Sequence, residues 1–232
     1  GGFGLSAALF FFIGLIDTTI RRRYELKDVF TIPILGEIPQ MMSPSKKVTI
    51  NKILTEESPF AIKESYSSLR ANILFTGKGE KCPVYAITSA EENEGKSLNS
   101  INIAITLSQL GKKVLLIDGD MRNSSIGKQL KLNQKNGLSQ YLAGISQKPE
   151  LIEKDENLSV LLAGALPPNP AELLGSNRFE ELLEEMKQNF DYIIVDLPPV
   201  GIVADARLIA EYVTGYFMVV RSGISKMNKE KR

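Results

Sequence analysis

From residue 84 onward, short continuous apolar runs alternate with segments of helical spacing. "VYAITS", "KVLLIDGD", "LSVLLAG", "YIIVDLPPV" and "YFMVVRSG" read as strands, and "KSLNSINIAITLSQLG" (ending in Gly111), "NRFEELLEEMKQNF" and "DARLIAEYV" as helices. Strands that are apolar throughout belong to a sheet covered on both faces, and their alternation with helices predicts an α/β fold with a parallel sheet. Further upstream, "AIKESYSSLRANILF" places Ala61, Tyr66, Leu69, Ile73 and Leu74 on one helical face. No internal repeat or low-complexity tract interrupts this pattern.

The first sixteen residues differ from everything that follows. Gly1 to Ile16 carry no charge and hold a run of bulky apolar side chains, and Arg21, Arg22 and Arg23 follow closely. A bilayer span needs about 20 apolar residues. This stretch therefore predicts a partial transmembrane helix over 1–20 whose positive flank lies on the cytoplasmic side, at the plasma membrane. A signal peptide would carry its positive charge before the apolar run. Gly1 in place of a methionine suggests that the sequence is a fragment. Residues 21–58 read as a juxtamembrane segment and linker, broken by Pro33, Gly36 and Pro39. The globular unit is expected over 59–223, and 224–232 as a polar tail.

Composition narrows the chemistry. The chain has 232 residues, 43% hydrophobic and 24% charged, enough for one ordinary core, and its net charge of +1 gives no reason to expect a nucleic acid partner. It contains no histidine, so histidine triads and histidine-ligated zinc are excluded; its single cysteine, Cys82, cannot form an internal disulfide.

Three candidate sites fall at the carboxyl ends of predicted strands, where open parallel sheets bind ligands. "SAEENEGKS" follows the first strand, Asp118 and Asp120 close the second, and Asp196 closes "YIIVD". Gly95, Lys96 and Ser97 match the end of a phosphate loop, G-x-x-x-x-G-K-S/T, although Ala90 stands in the first glycine position. Such a turn opens a helix whose free N–H groups and dipole favour an anion. Lys96 can then reach the β- and γ-phosphates of ATP or ADP, and the Ser97 hydroxyl can ligate magnesium with Asp196 as the second anchor. The motif makes the α/β unit a P-loop NTPase-type fold. Ala90 is tolerable if its backbone avoids the left-handed region. Three acids, Glu91, Glu92 and Glu94, crowd a loop meant for an anion. Glu91 also occupies the place where partition and division-site ATPases carry a second lysine, which disfavours a membrane-bound switch ATPase of that type. A third, non-enzymatic reading is an ATP-occupied scaffold with weak turnover.

The whole set resembles the bacterial protein-tyrosine kinases (BY-kinases) of capsule and exopolysaccharide assembly. "TSAEENEGKS" resembles their first Walker motif, "VLLIDGDMR" the additional A′ motif, "YIIVDLPPV" the Walker B strand, and "LLAGALPPNPAELLGSNRF" the intervening segment, over roughly residues 55 to 223. The resemblance implies nucleotide contacts at Glu94, Gly95, Lys96, Ser97 and Leu98, metal organised by Ser97, Asp118 and Asp196, and Asp120 as partner of the attacking tyrosine hydroxyl. "IPILGEIP" resembles the juxtamembrane end of the polysaccharide co-polymerase subunit that activates such kinases, here in one chain with the kinase. The kinase resemblance also implies a ring-like homo-oligomer, a cognate tyrosine phosphatase and protein tyrosine substrates, and on the scaffold reading a role in controlling polysaccharide chain length.

The chain departs from that pattern at named positions. Glu92 replaces the usual loop proline, and Leu98 a common threonine. The E-x-x-R-x-x-R oligomerisation helix is present as Glu64, Ser67 and Arg70, without its middle arginine. The family's last strand and tyrosine-rich tail are expected beyond Arg232. Of the seven tyrosines, Tyr85, Tyr192 and Tyr216 are expected in core strands, and Tyr66 and Tyr212 partly packed on helices.

Overall fold

The computed structural model describes residues 33–40, 52–77, 79–200 and 208–222. The apolar stretch 1–20, the arginine triplet and the polar tail lie outside them, as do Asp205, Ala206 and Arg207, the first three residues of the helix expected in "DARLIAEYV". Among the described residues no helix is long and apolar enough to cross a membrane.

Six strands form one sheet: β1 (Val84–Ser89), β2 (Val114–Asp118), β3 (Ile152–Asp155), β4 (Leu158–Leu161), β5 (Tyr192–Asp196) and β6 (Gly215–Val219). They lie in the order β3-β4-β2-β5-β1-β6. All neighbours are parallel except β3, which pairs antiparallel with β4. The sequence pattern gives no sign of β3: Ile152–Asp155 is mostly polar and exposed, so it lacks the apolar signature of the interior strands. The helices are α1 (Phe60–Thr76), α2 (Lys96–Ser108), α3 (Ile126–Leu130), α4 (Leu138–Leu142), α5 (Pro170–Leu174) and α6 (Asn177–Met186).

Alternate residues of each central strand feed opposite faces, as the period of two requires. Val84 and Ala86 of β1, Leu115 and Ile117 of β2, and Ile193 and Val195 of β5 pack in one core with Phe179, Leu182, Leu183 and Met186 of α6. Tyr85 and Ile87, Val114 and Leu116, and Ile194 pack in the other with Ile101, Ala104 and Leu107 of α2. Helix α6 shows why such a segment folds this way. Its four buried residues recur at i, i+3, i+4 and i+7, while Glu180, Glu181, Glu184 and Glu185 take the solvent face. Truncating Phe179 to alanine would cost about 3–5 kcal/mol, the range for a buried aromatic.

Helix α1 lies against α2 and carries two segments on it. Asn72 Nδ2 donates to the Leu35 carbonyl at 2.6 Å. Ile38 packs against the buried trio Leu54, Ile62 and Tyr66. Tyr66 is 1% exposed, more deeply buried than an amphipathic position alone predicts. Tyr216 departs in the other direction. It is 38% exposed rather than in the core, because β6 pairs on one side with β1 and has no second neighbour among the described strands.

Candidate active site

The phosphate loop joins β1 to α2. Positive φ angles fall at Asn93 (64°) and Gly95 (97°), and Ala90 is not among the positive-φ residues. An alanine therefore serves in the first position, as the sequence allowed. At Gly95 the left-handed backbone sends the chain directly into α2, and a side chain there would strain it. The crowding acids are sorted by the fold. Glu92 is exposed, whereas Glu94 is buried, its Oε2 accepting the Ala90 N–H at 2.9 Å and the Glu91 N–H at 3.1 Å. The loop's own amides thus take up the Glu94 charge, and a carboxylate bonded in this way braces the turn.

Strands β2 and β5 bring the three aspartates to the same edge. Asp118 and Asp196 are register partners, and the Gly119 N–H donates to the Asp196 carbonyl at 2.8 Å. A Cβ at Gly119 would lie 2.9 Å from that carbonyl oxygen, so this close crossing requires glycine. Lys96, the first residue of α2, places Nζ 2.7 Å from Asp120 Oδ2 and 3.2 Å from Asp196 Oδ2. Ser97 Oγ donates to Asp196 Oδ2 at 2.6 Å. Ser100, which sequence reasoning did not single out, donates to Asp196 Oδ1 at 2.9 Å. The signal was present: serine one turn after Ser97 shares its helical face. Asp120 Oδ1 accepts the Asn123 N–H at 3.0 Å. Leu98 is half-buried on the first turn of α2.

The electrostatics follow from burial. Burial pulls the Lys96 ammonium down, but Asp196 and Asp120 outweigh it and hold its pKa above the ordinary value. Asp196 is fully buried, and desolvation raises its carboxyl despite the donors Lys96, Ser97 and Ser100. Asp118 is pushed up to about 7 by burial and by neighbouring Asp196, with Lys96 and the Ile126 N–H opposing. Its Oδ2 accepts that N–H at 3.3 Å, while Oδ1 has no hydrogen-bond partner although it is buried.

This donor set suits magnesium with a nucleotide. Its oxygens are hard ligands, and among the described residues no three acids stand close enough to cage a metal ion by themselves. Magnesium, which keeps several waters and binds through one or two carboxylates plus phosphate, fits such a site. The orphaned Asp118 Oδ1 is the kind of buried group that a cation or its waters would satisfy.

Glu64 and Arg70 lie on α1, away from this cluster. Glu64 is exposed. The Arg70 guanidinium donates from Nη1 to the Thr106 carbonyl of α2 at 2.9 Å, so it is engaged within its own domain.

Comparison with known proteins defines the class. Residues 84–214 match a family model described as an AAA domain. Tyrosine-protein kinase CpsD of Streptococcus agalactiae is 41% identical over 168 residues, 71% of this chain and 72% of that protein. Putative tyrosine-protein kinase CapB of Staphylococcus aureus is 35% identical over 189 residues, 80% of this chain and 82% of its own length. Among solved structures, the chimerical protein CapA2B2 superposes with a TM-score of 0.80 at 31% identity, covering 90% of both chains. The chain belongs to the bacterial tyrosine-protein kinases, on a phosphate-loop α/β domain with a mostly parallel sheet.

Proposed function

We propose that this chain transfers the terminal phosphoryl group of ATP to protein tyrosines in capsule or exopolysaccharide assembly, with the strand-end cluster as its catalytic centre. The observation that carries the reading is Lys96 bridging Asp120 and Asp196 beside Ser97, within a chain related to named tyrosine kinases.

Phosphoryl transfer asks the protein mainly for positioning and charge. The backbone N–H groups from Glu94 to Leu98, at the opening of α2, would receive an anion, and Lys96 would supply the neutralising charge. Ser97 would ligate magnesium, with Asp118 and Asp196 holding its waters. When bound, magnesium would offset the negative charge of the phosphate oxygens. Lys96 also sets the order of events. Its ammonium rests on Asp120, and phosphates that draw it away leave Asp120 Oδ2 free to accept a hydrogen bond from the tyrosine hydroxyl. The tyrosine oxygen forms the new bond to phosphorus, the bond to the departing ADP breaks, and the phenolic proton passes to the carboxylate.

The finer reading extends to partners and place. The uncharged stretch before the arginine triplet supports anchoring at the plasma membrane with the kinase on the cytoplasmic face. The segment 33–40 supports a co-polymerase origin for the piece docked on α1. Assembly into a ring would use the outer face of α1 around Glu64, with Arg70 anchored to α2. A cognate tyrosine phosphatase would reverse the modification. Incubating the protein with magnesium-ATP and a tyrosine-rich peptide, then assaying phosphotyrosine, tests the activity. Light scattering of Ser67→Arg, expected to raise the oligomer fraction, tests the assembly surface.

A further inference from the structure

A chain of buried and partly buried hydrogen bonds runs behind the phosphate loop, separate from the aspartate cluster. The Leu54 N–H donates to Asn102 Oδ1 at 2.8 Å, and Asn102 Nδ2 donates to the Tyr66 hydroxyl oxygen at 3.0 Å. The Tyr66 hydroxyl donates to Asn99 Oδ1 at 2.9 Å, and Asn99 Nδ2 donates to the Gly95 carbonyl at 2.9 Å. Every donor faces the same way, from the segment around Leu54 through α1 to the loop. Chains aligned like this polarise one another. Asn102 Nδ2 also reaches the Lys52 carbonyl at 3.1 Å, which ties the same segment down a second time.

The end of the chain matters most. The Gly95 carbonyl receives the Asn99 side-chain amide and, at 3.0 Å, the Asn99 backbone N–H. Because the peptide unit is planar and trans, fixing the Gly95 C=O also fixes the direction of the Lys96 N–H. That N–H is among the donors at the opening of α2 that would meet a phosphate. Tyr66 itself sits in the apolar cluster with Leu54 and Ile62, against which Ile38 packs. A phenylalanine ring would fill the same space, so the hydroxyl's contribution is its bonds to Asn99 and Asn102.

We propose that Tyr66 is a positioning residue of the nucleotide site: acting through Asn99, it sets the Gly95–Lys96 peptide and couples the loop to the segments docked on α1. The proposal rests on the nucleotide-binding reading above. It makes the segments 33–40 and 52–58 part of the mechanical support of the loop.

The test compares Tyr66→Phe, Asn99→Ala and the double variant with Tyr85→Phe, which removes another buried hydroxyl, bonded at 2.8 Å to Thr76 and remote from the loop. Magnesium-ADP affinity is measured by calorimetry, and amide hydrogen exchange over 91–97 is followed without nucleotide. Tyr66→Phe and Asn99→Ala should each weaken affinity about two- to ten-fold, the worth of one buried hydrogen bond. Both should quicken exchange in the loop, and the double variant should be no worse than the stronger single one. Unchanged affinity in Tyr66→Phe would overturn the proposal, as would unchanged exchange in its loop or an equal loss of affinity in Tyr85→Phe. Lys96→Met separates the two levels. If it binds magnesium-ADP like wild type, the nucleotide reading fails and the proposal with it. If it loses binding while Tyr66→Phe does not, the role of Tyr66 alone fails.

Discussion

Asp118 and Asp196 end neighbouring parallel strands in register, yet their carboxylates are satisfied very differently. Asp196 receives Ser97 and Lys96 on one oxygen and Ser100 on the other, whereas Asp118 keeps a buried oxygen without a partner. Two carboxylates side by side in a dry strand end resist simultaneous ionisation. The strain between them is available to be relieved by a cation.

This arrangement gives the nucleotide-free protein a pH dependence of definite sign. Asp118 rises from its ordinary 3.8 to about 7 in the folded state. Between those values the folded chain binds more protons than the unfolded one, so stability falls as pH rises through the window. The contribution is fully present below 3.8 and is lost as pH passes the folded value near 7. Asp196, also raised, acts in the same direction. Denaturant titrations from acidic to alkaline pH should show wild type losing stability and Asp118→Asn losing distinctly less. Parallel profiles for the two proteins would show that Asp118 does not titrate there.

Ser100→Ala removes the donor to Asp196 Oδ1 and leaves that oxygen buried. The expected loss is about 1–3 kcal/mol, the penalty for an unsatisfied buried acceptor. Urea denaturation at neutral pH measures it. A midpoint equal to wild type would mean that Asp196 finds another partner or is protonated.

The tyrosines give a prediction about where phosphate will not appear. Tyr66 and Tyr85 are each 1% exposed, with hydroxyls bonded to Asn99 and Thr76 respectively. After incubation with magnesium-ATP, mass spectrometry should find neither modified, while a tyrosine-rich peptide supplied in trans is. Efficient phosphorylation of either residue in folded protein would contradict the packing described.

Much of this was readable beforehand because the informative strands are buried on both faces, and such strands announce themselves as apolar runs. β1, β2, β4 and β5 were visible in that way, β6 by its apolar run although its residues are only partly buried, and the aspartates closing β2 and β5 came with them. β3 was hidden because an edge hairpin strand such as Ile152–Asp155 needs no apolar face. Strand order was hidden too, since adjacency depends on crossovers that local periodicity does not encode. Tyr216 was misplaced for a related reason: an apolar run reads as buried even where only one neighbouring strand covers it. Asn99 and Asn102 escaped notice because small polar residues inside a helix carry no pattern of their own, whereas Ser100 was legible only through the face it shares with Ser97. Their importance arises only when the Tyr66 hydroxyl and the Asp196 carboxylate arrive from other elements.

On the proposed function, the Lys96–Asp120–Asp196 cluster transfers phosphate to tyrosine. The most direct measurement is phosphotyrosine formation on a tyrosine-rich peptide in trans with magnesium-ATP, comparing wild type, Lys96→Met and Asp120→Asn, with folding verified by circular dichroism. Wild type should phosphorylate the peptide, and Asp120→Asn should remain folded and bind nucleotide while transferring at least about a hundred-fold more slowly, as expected for loss of a general base. Lys96→Met should transfer nothing measurable. A folded wild-type protein that binds magnesium-ATP yet forms no phosphotyrosine, or a Lys96→Met variant that transfers at the wild-type rate, would contradict the account.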